Sequence, residues 1–345
     1  MGVKGLRDLI SSAEETSLKN LGEKKQIIGI DAFNTIYAFL ATIRDPTGQP
    51  MRSETGRITS PIIGLFNRTT RMLQSGIEPV FVFDGVPPRF KQKELEERRA
   101  KKIEEKAKLQ EAVDREDFEA ARKHAVASMS LREQIVEDSK QLLKLLGVGI
   151  VVAPEEGEAQ MAQMALQGQI SACASQDYDT LLFGAPRLIR NVSFTQLRSH
   201  SGQRIPNPPE EIWLEQVLSD LDFTREQLIL LGMVIGSDYS KVSGYGPKKG
   251  LQLVRKHPTA DALFSYLEKT ADIVESFKGN DPREIFEYFL NPPFDEEASF
   301  KMGKANIRGV YKFLVDDLSF DEARVKATLS RLKKMQAQKS LDTFF

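Results

Sequence analysis

The sequence contains very little cysteine and histidine. One cysteine, Cys173, stands among 345 residues, which excludes an internal disulfide and fits a reducing compartment. There are three histidines, His124, His200 and His257, and none of them lies in a motif rich in carboxylates. A histidine is therefore disfavoured as the group that would activate a catalytic nucleophile.

Long hydrophobic runs are also absent. The first 30 residues have no apolar core of the signal-peptide kind, and the longest apolar run, Leu145 to Ala153, is too short to cross a bilayer. Leu6 stands where N-myristoylation requires Ser or Thr. With 41% hydrophobic and 28% charged residues, the chain fits one large globular domain or two. We expect a soluble, cytoplasmic protein.

The chain has no excess of charge of either sign. A formal net charge of −1 by itself disfavours a polyanionic partner, but the charge is segregated. Residues 239–260 hold five basic residues and no acidic one, residues 323–341 hold six and none, and residues 89–108 hold nine against five. Such local basic patches can bind a phosphate backbone while the total charge stays near zero.

Five short apolar runs have the composition of buried strands. They cover residues 26–30, 79–83, 148–153, 170–175 and 187–192, and helix-like stretches separate them at about 33–43, 59–76, 131–146 and 156–168. This alternation predicts a mainly parallel sheet with helices on both faces, which binds ligands at the carboxyl ends of its strands. Carboxylates follow four of the runs: Asp31, Asp84, the group Glu155, Glu156 and Glu158, and the pair Asp177 and Asp179.

The acidic residues between 154 and 184 have no basic neighbours in sequence. No Lys or Arg lies between residues 154 and 186, and crowded carboxylates repel one another at a cost in stability. Divalent cations with oxygen ligands would remove that cost. The alternative is a solvated acidic loop.

Spacing predicts how these side chains are directed. Asp177 and Asp179, two apart on an extended segment, should point to one face. Glu156 and Glu158 should lie where a strand gives way to the first turn of a helix. Glu155 is expected to face solvent.

Residues 86–130 form an insertion that is too long for an ordinary connection. It begins with Pro87-Pro88 and continues with strong helix formers of alternating charge. One interpretation is a solvated or coiled-coil helical insertion. The other is a helical arch over the site that brings Lys91, Lys93, Arg98 and Arg99 to phosphates, since long insertions are often functional.

After Val192 the strand pattern stops, and only helices are predicted, at about 210–219, 224–235, 247–257, 259–269, 283–290, 303–314 and 320–337. Asp238 follows an apolar helix. The segment G-Y-G-P-K-K-G at 244–250 permits a tight turn with free amides that can meet a phosphate, although a plain turn between helices is the alternative. The tail, residues 338–345, ends on two Phe, which either dock into a partner or pack back on the chain.

Together and in order, these segments resemble the structure-specific flap endonucleases, related to the XPG/Rad2 nucleases, in their archaeal form. The matching segments are M-G-V-K-G-L, I-D-A-F-N-T-I-Y, F-N-R-T-T-R-M-L with P-V-F-V-F-D-G-V-P-P, A-P-E-E-G-E-A-Q, S-Q-D-Y-D-T-L-L-F-G, G-S-D-Y and G-Y-G-P-K-K-G. The resemblance covers essentially the whole chain. The tail also matches the sliding-clamp-binding pattern Q-x-x-h-x-x-F-F at Gln338, Leu341, Phe344 and Phe345.

The resemblance implies an α/β fold with a central, mainly parallel sheet, the PIN-like core of 5′ nucleases. It implies helices on both faces, a helical arch insertion and a C-terminal helical region. The implied regions are an N-terminal nuclease region at 1–98, an arch at 99–130 that begins near 86, an internal nuclease region with a helix–two-turn–helix at 131–258, a C-terminal helical region at 259–337 and the clamp-binding tail at 338–345.

The resemblance also implies site residues. Two Mg²⁺ ions, for which Mn²⁺ could substitute, would be held by Asp31, Asp84, Glu156 and Glu158 for the first and by Asp177, Asp179 and Asp238 for the second. Lys91 and Arg98 match the arch residues that contact the scissile phosphate. DNA contacts are implied for Gly2, Tyr37, Arg44, Arg68, Arg71, Glu156, Gly236, Asp238, Gly244, Gly246, Lys248 and Lys249, with a monovalent cation at the helix–two-turn–helix.

The implied function is a two-metal 5′-flap endonuclease with 5′-3′ exonuclease activity, which acts in Okazaki fragment maturation and long-patch base excision repair. Its implied partners are branched DNA and a sliding clamp (PCNA), and it would be a monomer associated with the nucleoid. Two departures are visible: position 155 is Glu where the family usually has Ser, and the chain stops at Phe345 without the Lys-rich tail of eukaryotic members, which favours an archaeal source.

Two other functions compete. A junction-binding scaffold that cuts nothing would have no use for seven repelling carboxylates. A phosphatase or glycosyltransferase that uses Asp177-x-Asp179 would have no use for the arch, the helix–turn–helix segment or the clamp tail. Incubation with a labelled flap substrate, Mg²⁺ and then EDTA would separate the three functions.

Overall fold

The computed structural model describes residues 3–91, 129–192, 197–200 and 203–342. Gly2, Lys93, Arg98, Arg99, Phe344 and Phe345 lie outside these residues, as does most of the predicted arch. No helix in the described part of the chain is both long enough and apolar enough to cross a membrane. The predicted boundaries between the five regions stay a prediction.

A seven-stranded sheet forms the centre of the molecule. Its strands in chain order are Glu14–Glu15 (β1), Ile27–Asp31 (β2), Glu78–Phe83 (β3), Gly149–Val152 (β4), Ala172–Ala174 (β5), Arg187–Arg190 (β6) and Glu210–Trp213 (β9). The spatial order is β1-β9-β6-β5-β2-β3-β4. A separate hairpin joins Leu197–His200 (β7) to Gln203–Pro206 (β8).

The five predicted strands are confirmed, and they pair in parallel. β2 lies between β3 and β5, with Ile30 opposite Phe81 on one side and Ala174 on the other. β4 extends the sheet beyond β3, and β6 extends it beyond β5. Since all five strands run the same way, their carboxyl ends meet at one edge.

The prediction that the strand pattern stops after Val192 is wrong. Residues 210–213, predicted as the start of a helix, form β9, which pairs antiparallel with β6 and with the short β1. Two acidic residues in β9 are neutralised by arginines of β6: Arg187 contacts Glu211 at 2.6 Å, and Arg190 contacts Glu210 at 3.1 Å. A strand with this polar composition can join the sheet because its charges are paired.

The helices are Leu18–Glu23 (α1), Ala32–Thr42 (α2), Ser60–Gln74 (α3), Met129–Leu145 (α4), Gly157–Leu166 (α5), Asp179–Leu182 (α6), Leu214–Leu221 (α7), Arg225–Ile235 (α8), Pro247–Lys256 (α9), Ala260–Thr270 (α10), Ile273–Ser276 (α11), Pro282–Leu290 (α12), Ile307–Tyr311 (α13) and Glu322–Asp342 (α14). Short 3₁₀ turns span Lys4–Asp8 and Arg89–Lys91, and a π-helical turn spans Lys312–Asp317. Most predicted helices are confirmed to within a few residues, but residues 303–306 precede α13, and α14 continues past residue 337.

The sheet separates two hydrophobic cores. Side chains alternate between the faces of a strand, so Phe81 and Phe83 pack into the core shared with α2, α3, α4 and α14, while Val80 and Val82 pack into the core shared with α5, α8 and α12. Both faces are therefore covered by helices, as the apolar runs predict. Because both faces are covered, a site has to be built from the residues that follow the carboxyl ends of the strands.

Candidate active site

The predicted acidic residues are delivered to one edge by the ends of four strands. Asp31 ends β2 and caps α2, since its Oδ1 accepts the backbone N–H of Asn34 at 2.9 Å. Asp84 follows β3, Glu156 occupies the N-cap position of α5 four residues after β4 ends, and Asp177 follows β5. The sequence therefore predicts correctly that these segments converge.

Mutual electrostatic effects show that these carboxylates lie close together. Burial, followed by the charges of Asp84 and Asp177, raises the pKa of Asp31 from 3.8 to about 8. Burial and then the charges of Asp177, Asp31 and Asp179 raise the pKa of Glu158 well above its usual value. Crowded acids disfavour ionisation of one another.

Asp238 joins this group from the helical half of the chain. It lies in the loop after α8, where Gly236 ends the helix with a φ of +126°. Burial and then the charge of Asp238 raise the pKa of Asp179 well above its usual value, against the hydrogen bond that Asp179 accepts from a backbone amide. Six of the seven predicted carboxylates thus act on one another, and the seventh, Glu156, is linked to Asp238 through Lys91. We call the seven residues the acidic centre.

Small polar residues beside the acids hold them in place. The Ser175 hydroxyl lies 2.8 Å from Glu158 Oε1 and 3.3 Å from Asp31 Oδ2, and the Asn34 amide donates to Asp177 Oδ2 at 3.1 Å. Sequence reasoning missed Ser175 and Asn34. Their positions two and three residues from Asp177 and Asp31 are the signal that could have found them.

Backbone amides satisfy two further acids. The N–H of Gly157 donates to Asp84 Oδ1 at 2.8 Å, and a Cβ at Gly157 would lie 2.9 Å from the same oxygen. The N–H of Val3, which is fully buried, donates to Asp179 Oδ1 at 2.8 Å. A side chain at position 157 would therefore displace the Asp84 carboxylate from this position. The first described residue, Val3, also contacts the centre.

Lys91 is the basic residue of the described chain that contacts two of the acids directly. Its Nζ lies 2.8 Å from Glu156 Oε1 and 3.1 Å from Asp238 Oδ2. Burial alone would lower the pKa of Lys91, but the charges of Glu156 and Asp238 outweigh it and raise that pKa. The lysine therefore stays charged and neutralises part of the acidic centre.

An aromatic cluster lies beneath Lys91. Tyr239 is 2% exposed and donates its hydroxyl to Glu156 Oε1 at 3.0 Å. Its ring packs edge-on against Phe90 and Tyr288, with centroids 5.9 and 5.6 Å apart. Sequence reasoning did not identify Tyr239 as a site residue, although it directly follows Asp238.

The donor set fits hard divalent cations, because every donor among the seven residues is a carboxylate oxygen. In the described part of the chain, no group of three or more His, Cys, Asp or Glu side chains is placed so that it could hold a metal ion as it stands. Protein donors hold the acids instead, including Lys91 at Glu156 and the Val3 amide at Asp179. The chemistry of the residues fits a metal, and these contacts would rearrange when it binds.

Two predicted details of the acidic segment are wrong. Glu155 does not face solvent freely: it is only partly exposed, and its Oε2 is buried. Asp177 and Asp179 do not share an extended segment, because Tyr178 has helical angles and Asp179 begins α6. The start of a helix brings the two aspartates together, so the two-residue alternation of side chains in a strand does not apply to them.

Arg68 is placed in the interior, which corrects its predicted position on a DNA-facing surface. It is 7% exposed, and its guanidinium donates to the carbonyl oxygens of Asn191 and Val192. Burial and then the charge of Arg71 lower the pKa of Arg68 to about 10. The residue therefore secures the end of β6 to α3.

The other predicted DNA contacts of the N-terminal part lie at or near the surface. Tyr37 is half-buried in α2 and stacks on Phe33 with ring centroids 6.0 Å apart. Arg44 and Arg71 are exposed. All three stay predictions as DNA contacts.

The segment predicted as a phosphate-binding turn joins α8 to α9. Gly244 has a φ of +81°, which only glycine adopts easily, and Pro247 begins α9 directly after Gly246. Lys248 and Lys249 are exposed in the first turn of α9. This geometry combines free helix amides with two cations, as phosphate binding requires.

The predicted clamp-binding tail is described only in part. Gln338 is exposed, Leu341 lies in α14, and the two terminal Phe lie outside the described residues. α14 continues through Asp342, so most of this segment is continuous with the terminal helix. The tail stays a prediction.

Comparison with known proteins identifies relatives of this chain. Models of the XPG N-terminal domain and the XPG I-region match residues 1–105 and 147–238. The chain is 45% identical over 339 residues to flap endonuclease 1 of Pyrococcus abyssi, covering 96% of this chain and 95% of that protein. These matches include every segment that supplies the acidic centre.

Solved structures share the fold. Flap endonuclease-1 from Methanococcus jannaschii is 36% identical with a TM-score of 0.75, covering 98% of this chain and 100% of that one. The Holliday junction-resolving enzyme GEN1, solved with product DNA and a Mg²⁺ ion, has a TM-score of 0.63 at 20% identity, covering 96% and 78%. From the full-length identity, the two matching regions and the shared fold, it follows that this chain belongs to the flap endonuclease 1 family of XPG nucleases.

Proposed function

We propose that this protein is a structure-specific endonuclease that cleaves branched DNA at the base of 5′ flaps and also has 5′-3′ exonuclease activity. As a member of its family it hydrolyses phosphodiester bonds. The observation that carries the proposal is the acidic centre at the carboxyl edge of the sheet, with Lys91 in contact with Glu156 and Asp238. The biological roles are Okazaki fragment maturation and long-patch base excision repair.

The acidic centre would hold two Mg²⁺ ions, with Mn²⁺ as a substitute. Asp31, Asp84, Glu156 and Glu158 would bind the first, and Asp177, Asp179 and Asp238 the second. When bound, such ions activate a water as nucleophile and stabilise the leaving 3′ oxygen. Burial together with mutual repulsion raises the pKa values of Asp31, Glu158 and Asp179, which supports this assignment, as does the Mg²⁺ in the GEN1 structure.

The chain's own residues would prepare the reacting phosphate. Lys91, now held by Glu156 and Asp238, would move toward the scissile phosphate and neutralise charge that develops there. Arg98 would act beside it from the arch. Ser175 and Asn34 would keep Glu158, Asp31 and Asp177 oriented through the hydrogen bonds they already make.

DNA would be recognised by its shape and its backbone. Lys248 and Lys249 beside Gly244 and Gly246 would grip the duplex with a monovalent cation, and Tyr37 would stack on a base next to the cut. Arg44, Arg71, Gly236 and Gly2 complete the proposed contacts. The bent junction and free 5′ end would set specificity, because backbone contacts carry no base information.

The tail would recruit a sliding clamp. Gln338, Leu341, Phe344 and Phe345 supply the polar and aromatic groups of the pattern, and the protein would act as a monomer tethered to the ring. Such a tether raises the local concentration of enzyme at the replication fork without altering the chemistry. The site of action would be the nucleoid in the cytoplasm.

A labelled flap assay tests the proposal. A duplex with a 5′ single-stranded flap, labelled at its 5′ end, should be cut at the flap base in Mg²⁺ and left intact in EDTA. Asp179→Asn keeps the shape of the side chain but removes its charge, so it should abolish cutting while DNA affinity is retained. Tight flap binding by the wild type without any cutting in Mg²⁺ or Mn²⁺ would instead establish a junction-binding scaffold.

A further inference from the structure

Glu156 is held by donors outside its own helix. It caps α5, but its side chain makes no capping hydrogen bond to that helix. Its Oε1 instead receives the Tyr239 hydroxyl at 3.0 Å and the Lys91 ammonium at 2.8 Å. The orientation of this carboxylate is therefore set by the segments that carry Tyr239 and Lys91.

We propose that Tyr239 is a positioning residue for Glu156: its hydroxyl fixes the carboxylate in the orientation that metal binding requires. This inference rests on the proposed function, because it assumes that Glu156 is a metal ligand. It goes beyond that function by assigning a role to a residue that touches neither the metal nor the DNA. Donors that orient metal ligands typically matter tenfold to a hundredfold for metal affinity or activity.

The Tyr239 ring has little freedom to move. It packs against Phe90, Tyr288 and Phe289 with centroids 5.9, 5.6 and 5.4 Å apart, and the residue is 2% exposed. Rings that pack edge-on from several sides hold one orientation. The hydroxyl therefore keeps one position, and its hydrogen bond fixes the position of the Glu156 carboxylate.

Lys91 cannot perform the same role throughout the reaction. Its ammonium contacts both Glu156 and Asp238, and in the proposed function it leaves them for the phosphate. Once it has moved, the Tyr239 hydroxyl is the donor that still binds Glu156 Oε1. Without that donor, the carboxylate would be free to rotate about its terminal bonds when the metal arrives.

Tyr288 supplies a matched control in the same cluster. Its ring packs against Phe90 and Tyr239 with centroids 5.3 and 5.6 Å apart. Its hydroxyl is buried and donates no hydrogen bond of normal geometry to Glu156, although it lies near Glu155 and the Tyr239 hydroxyl. Tyr239→Phe and Tyr288→Phe each delete one buried oxygen from this cluster, but only the first removes a bond to Glu156.

Mn²⁺ binding to the DNA-free protein tests the inference without relying on cleavage. Free Mn²⁺ is measured by electron paramagnetic resonance during titration of the wild type, Tyr239→Phe, Tyr288→Phe and Glu156→Gln, with melting in EDTA to check that each variant is folded. Each titration is repeated in a Lys91→Ala background, because Lys91 still contacts Glu156 when DNA is absent. Tyr239→Phe should weaken one of the two Mn²⁺ sites about tenfold or more, while Tyr288→Phe should lose clearly less affinity. Adding Tyr239→Phe to Glu156→Gln should cause no further loss, since the hydroxyl acts through Glu156.

Cleavage provides a second measurement. Single-turnover cutting of a flap by Tyr239→Phe should be slow at low Mg²⁺ and should recover toward the wild-type rate as Mg²⁺ is raised, with DNA affinity unchanged. Unaltered Mn²⁺ affinity in Tyr239→Phe overturns the inference, and so does an equal loss in Tyr288→Phe, which would assign the effect to packing. If the wild type binds no Mn²⁺, the metal assignment of the proposed function is wrong as well, so the two failures are distinguishable.

Discussion

Replacing Asp31 with Asn should stabilise the metal-free protein at alkaline pH. Asn keeps the shape and the helix-capping ability of Asp, so the bond to the backbone N–H of Asn34 can persist. In the folded chain the pKa of Asp31 is raised from 3.8 to about 8. Between these values the folded protein holds a proton that the unfolded chain releases, so stability is full below about pH 4 and falls as pH rises to about 8.

The size of the effect follows from that shift. About four pKa units at 1.36 kcal/mol each set an upper limit near 6 kcal/mol. The proton is shared among neighbouring acids, Asp84 and Asp177 included, so we expect about 2–3 kcal/mol from Asp31 itself. At roughly 2.1 cal/mol/K per residue, the 345 residues convert this to a rise in Tm of about 3–4 °C.

The assay is thermal unfolding in EDTA at pH 5, 6.5 and 8, followed by the same series in Mg²⁺. Asp31→Asn should gain most at pH 8, and Mg²⁺ should reduce its advantage because the wild type then has a cation to offset the repulsion. Asp281→Asn is the matched control: Asp281 also caps a helix, through the backbone N–H of Arg283, and it is exposed. Equal pH slopes for Asp31→Asn and the wild type would refute the reasoning.

Five other changes give four distinct outcomes. Lys91→Ala should lower the single-turnover rate about a hundredfold, or about 3 kcal/mol, with little change in DNA affinity; mainly weakened binding would make it a plain backbone contact. Lys248→Ala and Lys249→Ala should each reduce the salt slope of DNA binding by about one, measured by fluorescence anisotropy. Arg68→Ala should lower Tm through loss of about 2–4 kcal/mol, because two carbonyl groups lose a buried charged donor; an unchanged Tm with weaker DNA binding would restore its predicted DNA contact. Deleting residues 338–345 should abolish clamp binding in calorimetry and leave cutting of a free flap intact, whereas loss of intrinsic activity would show that the two Phe belong to the core.

The sequence was most informative where the residue composition of a segment and the position of the acid that follows it indicate the same structure. The apolar runs at 26–30 and 79–83 have the composition of strands, and Asp31 and Asp84 follow them directly. Both the strands and the position of these acids at the carboxyl edge of the sheet could therefore be predicted. The Glu156 position at the start of a helix followed from the proline before it. In each case the local signal and the tertiary arrangement are consistent.

Other features depend on partners that are distant in sequence. Glu210 and Glu211 make β9 look like an exposed helix start, and only their pairing with Arg190 and Arg187 allows the strand to join the sheet. The burial of Arg68 depends on carbonyl groups more than 120 residues away. Contacts of Lys91 with Glu156 and Asp238 likewise cannot be inferred from a count of charges.

Assembly of the acidic centre spans most of translation. Its first residue, Asp31, and its last, Asp238, are separated by 207 positions, which a ribosome covers in roughly 10 to 40 seconds. Until Asp238 and Tyr239 have been synthesised and docked, Lys91 lacks one of its two carboxylates and Glu156 lacks its tyrosine donor. On the proposed assignment, a nascent or truncated chain that ends before residue 238 would therefore lack one of the metal ligands and should not cut DNA.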